Sequence, residues 1–434
     1  MVVSSPITLN AGQDAALGEI MAARAKRGQH LLTGYAGSGK TTLMQEVARR
    51  FQAKRLTVVL TAPTHKAVSV LERKVAQAGL VVDCRTIHSL LSLKPDNKGD
   101  RQVFVRDRRA DPVSADVVVV DECSMLSREM MVHIHRHLTS QFVLFVGDPA
   151  QLPPVGETAS ESFATASRSH LDTIVRQAEG NPILAAAGAI RAAQGAGVDW
   201  TWAQSDHTAA EGLFTPDNAA AWMRKAFTSP GFDTDPDSHR YLAWTNAKVD
   251  QVNRQVRQWR YGDDIPTPFM PGERAMLRAP VIRDRTVILS TNEEVTVRSV
   301  EEAEFRFDVP DADDCVGWTA RLACWRVHLT KDDGLEHSVH LPIGQDEYNA
   351  VVNRIKDEAR HTKSRWGDFH DFTTALAKMQ SIYALTVHNS QGSTFKNCFL
   401  DIADIRKRQR GNSLEMQQLL YVGVTRSSHS VVLV

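Results

Sequence analysis

The segment that most constrains this chain is a glycine-rich octapeptide near its N-terminus. Gly34-Tyr-Ala-Gly-Ser-Gly-Lys-Thr41 matches the pattern G-x-x-x-x-G-K-[ST], with an apolar stretch directly before it and a helical stretch directly after it. In the context of strand, loop and helix, this pattern binds phosphate through backbone N–H groups. We therefore expect a nucleoside triphosphate site in which Lys40 reaches the β- and γ-phosphate oxygens and the Thr41 hydroxyl faces Mg²⁺. The predicted cradle consists of Gly34, Ala36, Gly37, Ser38, Gly39, Lys40, Thr41 and Thr42.

Two acidic residues follow the valine run at 117–120, which is predicted to be a buried strand. A carboxylate at such a strand end is where a nucleotide-bound Mg²⁺ is held. Asp121 is predicted to bind the metal, and Glu122 to polarise the attacking water. After the next apolar run, Gln151 carries a carboxamide that can donate to a γ-phosphate and accept from water.

The first half of the chain alternates between short apolar runs and helical stretches. The pattern predicts strands at 56–60, 117–120 and 142–146 and helices at 42–52 and 67–78. Such alternation is typical of an α/β fold with a parallel sheet, whose ligands collect at the carboxyl ends of the strands. Residues 92–112 are predicted to form an inserted hairpin, and a strand-rich segment from about 269 to 373 a small inserted β-domain.

Composition excludes several classes of protein. The 434 residues carry 51 Lys and Arg against 51 Asp and Glu, which argues against a protein that coats nucleic acid by bulk positive charge. The five cysteines include no C-x-x-C pair, so neither a disulfide framework nor a zinc ribbon is predicted. No apolar run reaches the ~18 residues of a membrane span, and the N-terminus lacks the features of a signal peptide. We therefore expect a cytoplasmic location and no membrane partner.

Eight short motifs occur in the order found in superfamily 1 helicases. They are GYAGSGKTT, TAPTHKAV, RTIHSLL, VVDECSM, VGDPAQLPPV, LAWTNAKVDQVN, ALTVHNSQGST and LLYVGVTRSSH. Over nearly its whole length the chain resembles this superfamily, and in particular the 5′-to-3′ branch that contains RecD-like helicases and small phage enzymes.

The resemblance implies an α/β fold with two RecA-like P-loop NTPase domains, an inserted β-hairpin called the pin, and an inserted small β-barrel of SH3-like type. The first RecA-like domain (1A) would comprise 1–91 and 113–178, with the pin (1B) at 92–112. The second (2A) would comprise 179–268 and 375–434, with the barrel (2B) at 269–374.

The resemblance also implies that ATP lies between the two RecA-like domains. Arg176 and Arg426 match the arginines that reach the γ-phosphate, Gln13 matches the glutamine that reads adenine, and Gly392 is a further nucleotide contact. An isolated glutamine before a helix is otherwise more often a surface residue. The catalytic set predicted in this way is Lys40, Glu122, Gln151, Arg176 and Arg426.

Single-stranded DNA is implied to cross both domains. The expected contacts of the first domain are Pro63, Thr64, His65, Lys66, Thr86 and His88. Those of the second domain are Thr245, Asn246, Thr386, His388 and Ser390. Hydroxyls and amides hold phosphates without reading bases, so binding should be largely independent of sequence. Phe104 in the hairpin is the candidate wedge that stacks on the junction base, although packing of the hairpin onto its domain is the alternative.

Together these features predict an ATP- and Mg²⁺-dependent 5′-to-3′ DNA helicase of phage-type replication or recombination. We expect a monomer that acts on single strands and on forked or tailed duplexes, with a single-strand-binding or replisome protein as a candidate partner. Two alternatives remain open from the residues. One is an RNA helicase or RNA–protein remodelling ATPase, and the other is a nucleotide-gated module that grips single strands without unwinding.

Overall fold

The computed structural model describes residues 8–26, 28–98, 101–173, 182–193, 205, 211–283, 286–312, 315–408 and 411–434. Its contacts divide the chain into two compact units. The first unit comprises 1–93, 106–252 and 384–434, and the second comprises 94–105 and 253–383.

The first unit contains a six-stranded parallel sheet near the N-terminus. Its strands are β1 (Gln29–Gly34), β2 (Val58–Ala62), β3 (Asp83–Thr86), β6 (Val117–Val120), β7 (Phe142–Gly147) and β8 (Arg168–Leu171), in the order β3-β2-β6-β7-β1-β8. Its helices are α1 (Ala11–Ala25), α2 (Lys40–Ala53), α3 (His65–Gln77), α4 (Ile87–Leu90) and α5 (Arg128–His137).

Burial on both faces explains the apolar runs of this sheet. Every residue of β6 and β7 is buried, because α1, α2 and α3 pack on one face while α4 and α5 pack on the other. Local sequence fixes where the helices begin. Asn10 and Gln13 form a capping box at the start of α1, and the Thr64 hydroxyl accepts the Ala67 N–H at the start of α3.

A second parallel sheet, of five strands, completes the first unit. It consists of β9 (Gly212–Phe214), β10 (His239–Ala243), β18 (Ala384–Thr386), β19 (Phe395–Leu400) and β20 (Ser427–Leu433), in the order β18-β10-β19-β20-β9. The helices that follow or connect its strands are α6 (Pro182–Ala192), α7 (Ala219–Phe227), α8 (Pro230–Thr234), α9 (Asn246–Tyr261), α12 (Ile402–Arg406) and α13 (Ser413–Thr425). Most of α13 is buried, so this helix belongs to the core.

The second unit is mainly antiparallel. Its large sheet contains β11 (Arg274–Leu277), β14 (Glu294–Val309), β15 (Trp318–Lys331), β16 (Glu336–Pro342) and β17 (Met379–Ser381), in the order β16-β15-β14-β11-β17. Two-stranded sheets are formed by β12 (Val281–Arg283) with β13 (Thr286–Leu289), and by β4 (Leu93–Lys98) with β5 (Arg101–Arg106). Two helices, α10 (Gln345–His361) and α11 (Arg365–Ala375), pack together against this sheet.

The α/β class and the predicted strands and helices of the first half are confirmed, with ends that differ by a few residues. The prediction of a small β-domain from about 269 to 373 missed helices α10 and α11. Their core contains the fully buried Arg365 guanidinium, which donates to Pro310 O (2.6 Å) and to the Asp368 carboxylate (3.0 Å). The SH3-like barrel, the pin and the domain boundaries stay predictions. Along the described residues, no helix combines the length and the apolar character needed to cross a membrane.

Candidate functional site

The glycine-rich segment forms a tight loop between β1 and α2. Gly37 (φ +82°) and Gly39 (φ +81°) adopt the left-handed backbone conformation that other residues rarely take. Gly39 directly precedes the first turn of α2, whose N–H groups have no acceptors within the helix. N–H groups and a helix dipole arranged in this way bind anions such as phosphate.

Gly34 is needed for close packing rather than for its φ. A Cβ atom at this position would lie 2.5 Å from Ser38 Oγ and 3.0 Å from Leu171 Cβ. The loop therefore returns over its own first residue at a distance that only glycine permits.

The Lys40 side chain folds back onto the same loop. Its Nζ donates to Gly34 O (2.6 Å) and Tyr35 O (3.0 Å). The hydroxyl of Thr41, the predicted metal ligand, accepts from Nζ of Lys74 on α3 (3.3 Å). Two ammonium groups thus lie beside the loop, a charge arrangement that suits a polyphosphate.

The loop opens into a cavity of about 430 Å³, a volume typical of small-ligand sites. Both parallel sheets contribute to its wall. The predicted residues that line it are Ala36, Gly37, Ser38, Gly39, Lys40, Thr41, Thr42, Asp121, Glu122, Gln151, Gly392 and Arg426.

Gln13 lies behind the loop and not in the cavity wall. It is 3% exposed, its Oε1 accepts from Asn10 N (3.0 Å), and its Nε2 donates to Gly39 O (3.4 Å). The structure thus excludes the alternative of a surface glutamine, because here the Gln13 amide supports the phosphate loop. Its role in reading adenine stays a prediction.

The two acids lie at the end of β6. Glu122 has φ +52°, and its N–H donates to Asp121 Oδ1 (2.9 Å). Burial raises the pKa of Asp121 to about 6, and the adjacent Glu122 carboxylate adds to this rise, whereas Lys40 and Lys74 oppose it. A buried carboxylate beside a second carboxylate is stabilised by a divalent cation, so the donor set fits Mg²⁺.

Two buried polar atoms of the cavity wall lack a hydrogen-bond partner within the described part of the chain. They are Ser38 Oγ and Gln151 Oε1. A buried polar group without a partner costs about 1–3 kcal/mol, and a polar ligand removes that cost. These atoms, together with the N–H groups of the loop, fit a nucleotide.

Arg426 enters the cavity wall from the second sheet, directly after α13. It is 6% exposed, its Nε donates to Val422 O (3.2 Å), and its Nη1 donates to Ser393 O (3.2 Å). Backbone carbonyls orient the guanidinium but leave its charge unneutralised. Lys40 and Arg426 therefore line one cavity from different sheets. The other predicted arginine, Arg176, lies outside the described residues.

Three of the predicted strand-contacting threonines share one local structure. Each hydroxyl accepts the backbone N–H three residues later, which caps a turn or a helix. The pairs are Thr64 with Ala67 (3.2 Å), Thr86 with Ser89 (3.1 Å) and Thr386 with Asn389 (3.2 Å). A hydroxyl that accepts in this way keeps its own hydrogen as a donor for a further acceptor such as a phosphate oxygen.

The other predicted contacts of the first sheet surround the start of α3 and α4. Pro63 and Lys66 are half-buried, and His65 is exposed. Burial lowers the pKa of His88, and the nearby His65 lowers it further, so His88 is neutral near pH 7.

Two predicted contacts of the second sheet have hydroxyls that donate within the protein. Thr245 Oγ1 also accepts the N–H three residues later, that of Lys248 (3.3 Å), but it donates to the Asp404 carboxylate (3.0 Å). The fully buried Ser390 Oγ donates to Val387 O (2.7 Å). In this structure both hydroxyls support the loops they belong to. Asn246 is exposed and His388 is half-buried, and burial lowers the pKa of His388.

Phe104 lies in β5 and is 39% exposed, and its role as a wedge stays a prediction. Lys74 is one of several cavity residues that the sequence analysis missed, and the others include Gln45, Gln77 and Thr425. Lys74 bears a charge beside the phosphate loop. It is one lysine on an amphipathic helix, and no local pattern distinguishes it from a solvent-exposed lysine.

We predict that Gly34→Ala destabilises the fold by about 1–3 kcal/mol, because the added methyl group overlaps Ser38 and Leu171. Binding of a fluorescent ADP analogue should weaken as well, since the loop has to move. Gly18→Ala is the matched control, because it adds a methyl group to α1 where no atom lies within 4 Å, and it should stabilise by about 0.5–1 kcal/mol. Denaturant unfolding measures the stability of both variants. A Gly34→Ala protein that is as stable as the parent would contradict the packing argument.

Comparisons with known proteins agree with this geometry. Residues 8–211 match the AAA domain family, and residues 381–434 match the UvrD-like helicase C-terminal domain. The ATP-dependent DNA helicase dda of Enterobacteria phage T4 is 25% identical over 450 residues, which cover 98% of this chain and 98% of that protein. The ATP-dependent RecD2 DNA helicase of Deinococcus radiodurans is 33% identical over 160 residues, 36% of this chain and 21% of that protein.

Among solved structures, a Pif1 helicase studied for DNA unwinding at forked double-stranded DNA has a TM-score of 0.51 with this chain, at 16% identity, and covers 98% of this chain and 92% of its own. At that identity the likeness bears on the fold alone, and it agrees with the two α/β sheets described above. The motif order, the two matched domains and the full-length phage relative lead to one assignment. The chain belongs to the superfamily 1 helicases, in the 5′-to-3′ branch that contains RecD-like enzymes and Dda.

Proposed function

We propose that this protein is an ATP-dependent 5′-to-3′ DNA helicase that moves along single-stranded DNA and unwinds duplexes. The observation that carries the proposal is the cavity that the phosphate loop of one sheet shares with Arg426 of the other. A nucleotide in such a cavity contacts both sheets at once, so its hydrolysis changes the contacts between them. The polarity follows from the branch, since no side chain in the site encodes direction.

The predicted site residues that line the cavity take different parts in nucleotide hydrolysis. The loop N–H groups and Lys40 bind the phosphates, while Thr41 and Asp121 hold Mg²⁺. Glu122 accepts the proton of the attacking water, and Gln151 orients that water. Mg²⁺, when bound, neutralises charge on the phosphate oxygens.

Arg426 acts where negative charge develops during phosphoryl transfer. A guanidinium at that position accelerates related reactions by about 10³-fold or more. Since this arginine belongs to the second sheet, loss of the γ-phosphate weakens the attraction between the sheets. If the two parts of the protein grip the DNA strand in turn, each cycle of ATP binding and hydrolysis moves the protein one step along the DNA.

The proposed substrate is single-stranded DNA with forked or tailed duplexes. The capping hydroxyls of Thr64, Thr86 and Thr386 are donors suited to phosphate oxygens, which carry no base identity. The choice of DNA follows the relatives, since the phage and bacterial proteins are DNA helicases by name.

Two assays test the function. We expect ATP hydrolysis to be stimulated by single-stranded DNA, and a duplex with a 5′ tail to be unwound in preference to one with a 3′ tail. Stimulation by single-stranded RNA alone would instead support an RNA helicase. Strong DNA-stimulated hydrolysis without strand displacement on any tailed duplex would support a nucleotide-gated binding module.

Lys40→Ala is expected to reduce DNA-stimulated ATP hydrolysis by at least 10²-fold, because the ammonium that compensates phosphate charge is removed. Lys54→Ala is the control, since this lysine lies at the other end of α2 and is exposed. A phosphate-release assay measures both variants, and circular dichroism verifies folding. Hydrolysis near the parental rate in Lys40→Ala would remove the basis of the nucleotide assignment.

Phe104→Ala is expected to slow unwinding of a tailed duplex several-fold while DNA-stimulated ATP hydrolysis stays within about twofold, because stacking at the junction acts on strand separation alone. Trp222→Ala is a matched control, as its exposure of 38% is close to the 39% of Phe104 and it belongs to a helix of the first unit. Equal losses of hydrolysis and unwinding in Phe104→Ala would mean that the ring packs the hairpin.

A further inference from the structure

One tyrosine hydroxyl joins three segments that surround the nucleotide cavity. Tyr421 belongs to α13 and is 2% exposed. Its Oη donates to Asp148 Oδ2 (2.6 Å) and accepts from the N–H of Ala36 (3.0 Å). Ala36 lies in the phosphate loop, and Asp148 follows β7, three residues before Gln151.

The direction of each hydrogen bond is fixed by chemistry. An amide N–H can only donate, so the hydroxyl oxygen accepts from Ala36 and its single hydrogen goes to the Asp148 carboxylate. Asp148 is fully buried, and its other oxygen accepts from Ala150 N (2.9 Å). Burial and the nearby Asp148 carboxylate raise the pKa of Tyr421, so the phenol keeps its hydrogen. Bonds in such a chain polarise one another in a low-dielectric interior.

The position of Tyr421 along α13 gives this chain of bonds its significance. Arg426 follows five residues later, directly after the end of α13. Five residues correspond to about 7.5 Å of helix, so the helix acts as a short rigid connection. A bond at Tyr421 therefore determines where the helix, and with it the guanidinium, lies relative to the phosphate loop.

A second contact supports the same face of the loop. The Arg191 guanidinium lies 3.4 Å from the centre of the Tyr35 ring, and Gln417 of α13 donates to Arg191 O (3.0 Å). Tyr35 and Ala36 are thus both held by groups connected to α13. All of these residues belong to the first unit.

We propose that Tyr421 is a positioning residue for ATP hydrolysis, because its hydroxyl aligns the arginine-bearing helix α13 with the phosphate loop and with the turn that carries Gln151. This inference rests on the proposed function and deepens it. Tyr421 does not act on the phosphates. It acts through Ala36, Asp148 and the helix that leads to Arg426.

Tyr421→Phe tests the proposal, since it removes the hydroxyl and retains the ring. We expect kcat of DNA-stimulated ATP hydrolysis to fall about tenfold, while the dissociation constant of a fluorescent ADP analogue changes by less than about threefold. The phosphate loop still binds the diphosphate in this variant, but the alignment of Arg426 and Gln151 is relaxed. In the nucleotide-free protein, hydrogen–deuterium exchange of the peptide that contains Ala36 should accelerate at least threefold.

Tyr241→Phe is the matched control. Tyr241 is also buried, and its hydroxyl donates to a buried carboxylate, that of Asp401 (2.7 Å), but neither residue lines the cavity. This variant should lose a comparable hydrogen bond, retain kcat within about twofold and leave exchange at Ala36 unchanged. Asp148→Asn, which alters the other end of the bond, should also lower kcat and provides the measurement if Tyr421→Phe does not fold.

The outcomes separate this inference from the proposed function. Parental kcat in Tyr421→Phe, or a loss no larger than in Tyr241→Phe, overturns the positioning role. A wild-type protein without DNA-stimulated hydrolysis overturns the proposed function, and the exchange measurement then still decides whether Tyr421 holds the loop.

Discussion

Burial of two parallel sheets on both faces is the constraint on which the site depends. In β6 and β7 every side chain is buried in the core, and the polar side chains of the site lie where these strands end. The phosphate loop follows β1, the acids follow β6, and Gln151 follows β7. Because these strands are parallel neighbours, three segments distant in sequence meet at one edge, where the second sheet adds Arg426.

The cavity brings two carboxylates close to two ammonium groups, and a bound nucleotide can change the contacts of these groups. Asp121 is buried next to Glu122, an arrangement that raises the pKa of Asp121 and would weaken the fold without compensation. Lys40 and Lys74 lie close enough to oppose this shift. Lys40 bonds to two loop carbonyls and Lys74 to the Thr41 hydroxyl, both neutral groups that a phosphate or a metal-bound water can replace. The positive charges that a nucleotide needs are therefore already in place, although the two lysines that carry them are hydrogen-bonded to the protein.

Local patterns predicted much of this arrangement. The phosphate loop, the acids and the buried strands are each encoded within a dozen residues, so their position could be inferred from spacing alone. Contacts between segments that are distant in sequence could not be inferred from spacing. The hydroxyl of Tyr421 meets Ala36 across 385 residues, and Lys74 reaches Thr41 from another helix. Helices α10 and α11 were missed because their apolar residues lie within a strand-rich segment whose overall pattern obscured a change of period from two to 3.6.

The predicted strand contacts divide according to where their hydroxyl hydrogens point. Thr64, Thr86 and Thr386 accept a backbone N–H, so each hydroxyl hydrogen remains a donor for a phosphate. Thr245 also accepts a backbone N–H, but its own hydrogen goes to Asp404, and the hydroxyl hydrogen of Ser390 goes to Val387. Sequence motifs treat these five hydroxyls as equivalent, but they differ in whether the hydroxyl hydrogen is already donated to a group of the protein. A grip on the strand through the three capping threonines needs no rearrangement of the protein, whereas a grip through the other two requires an existing bond to break.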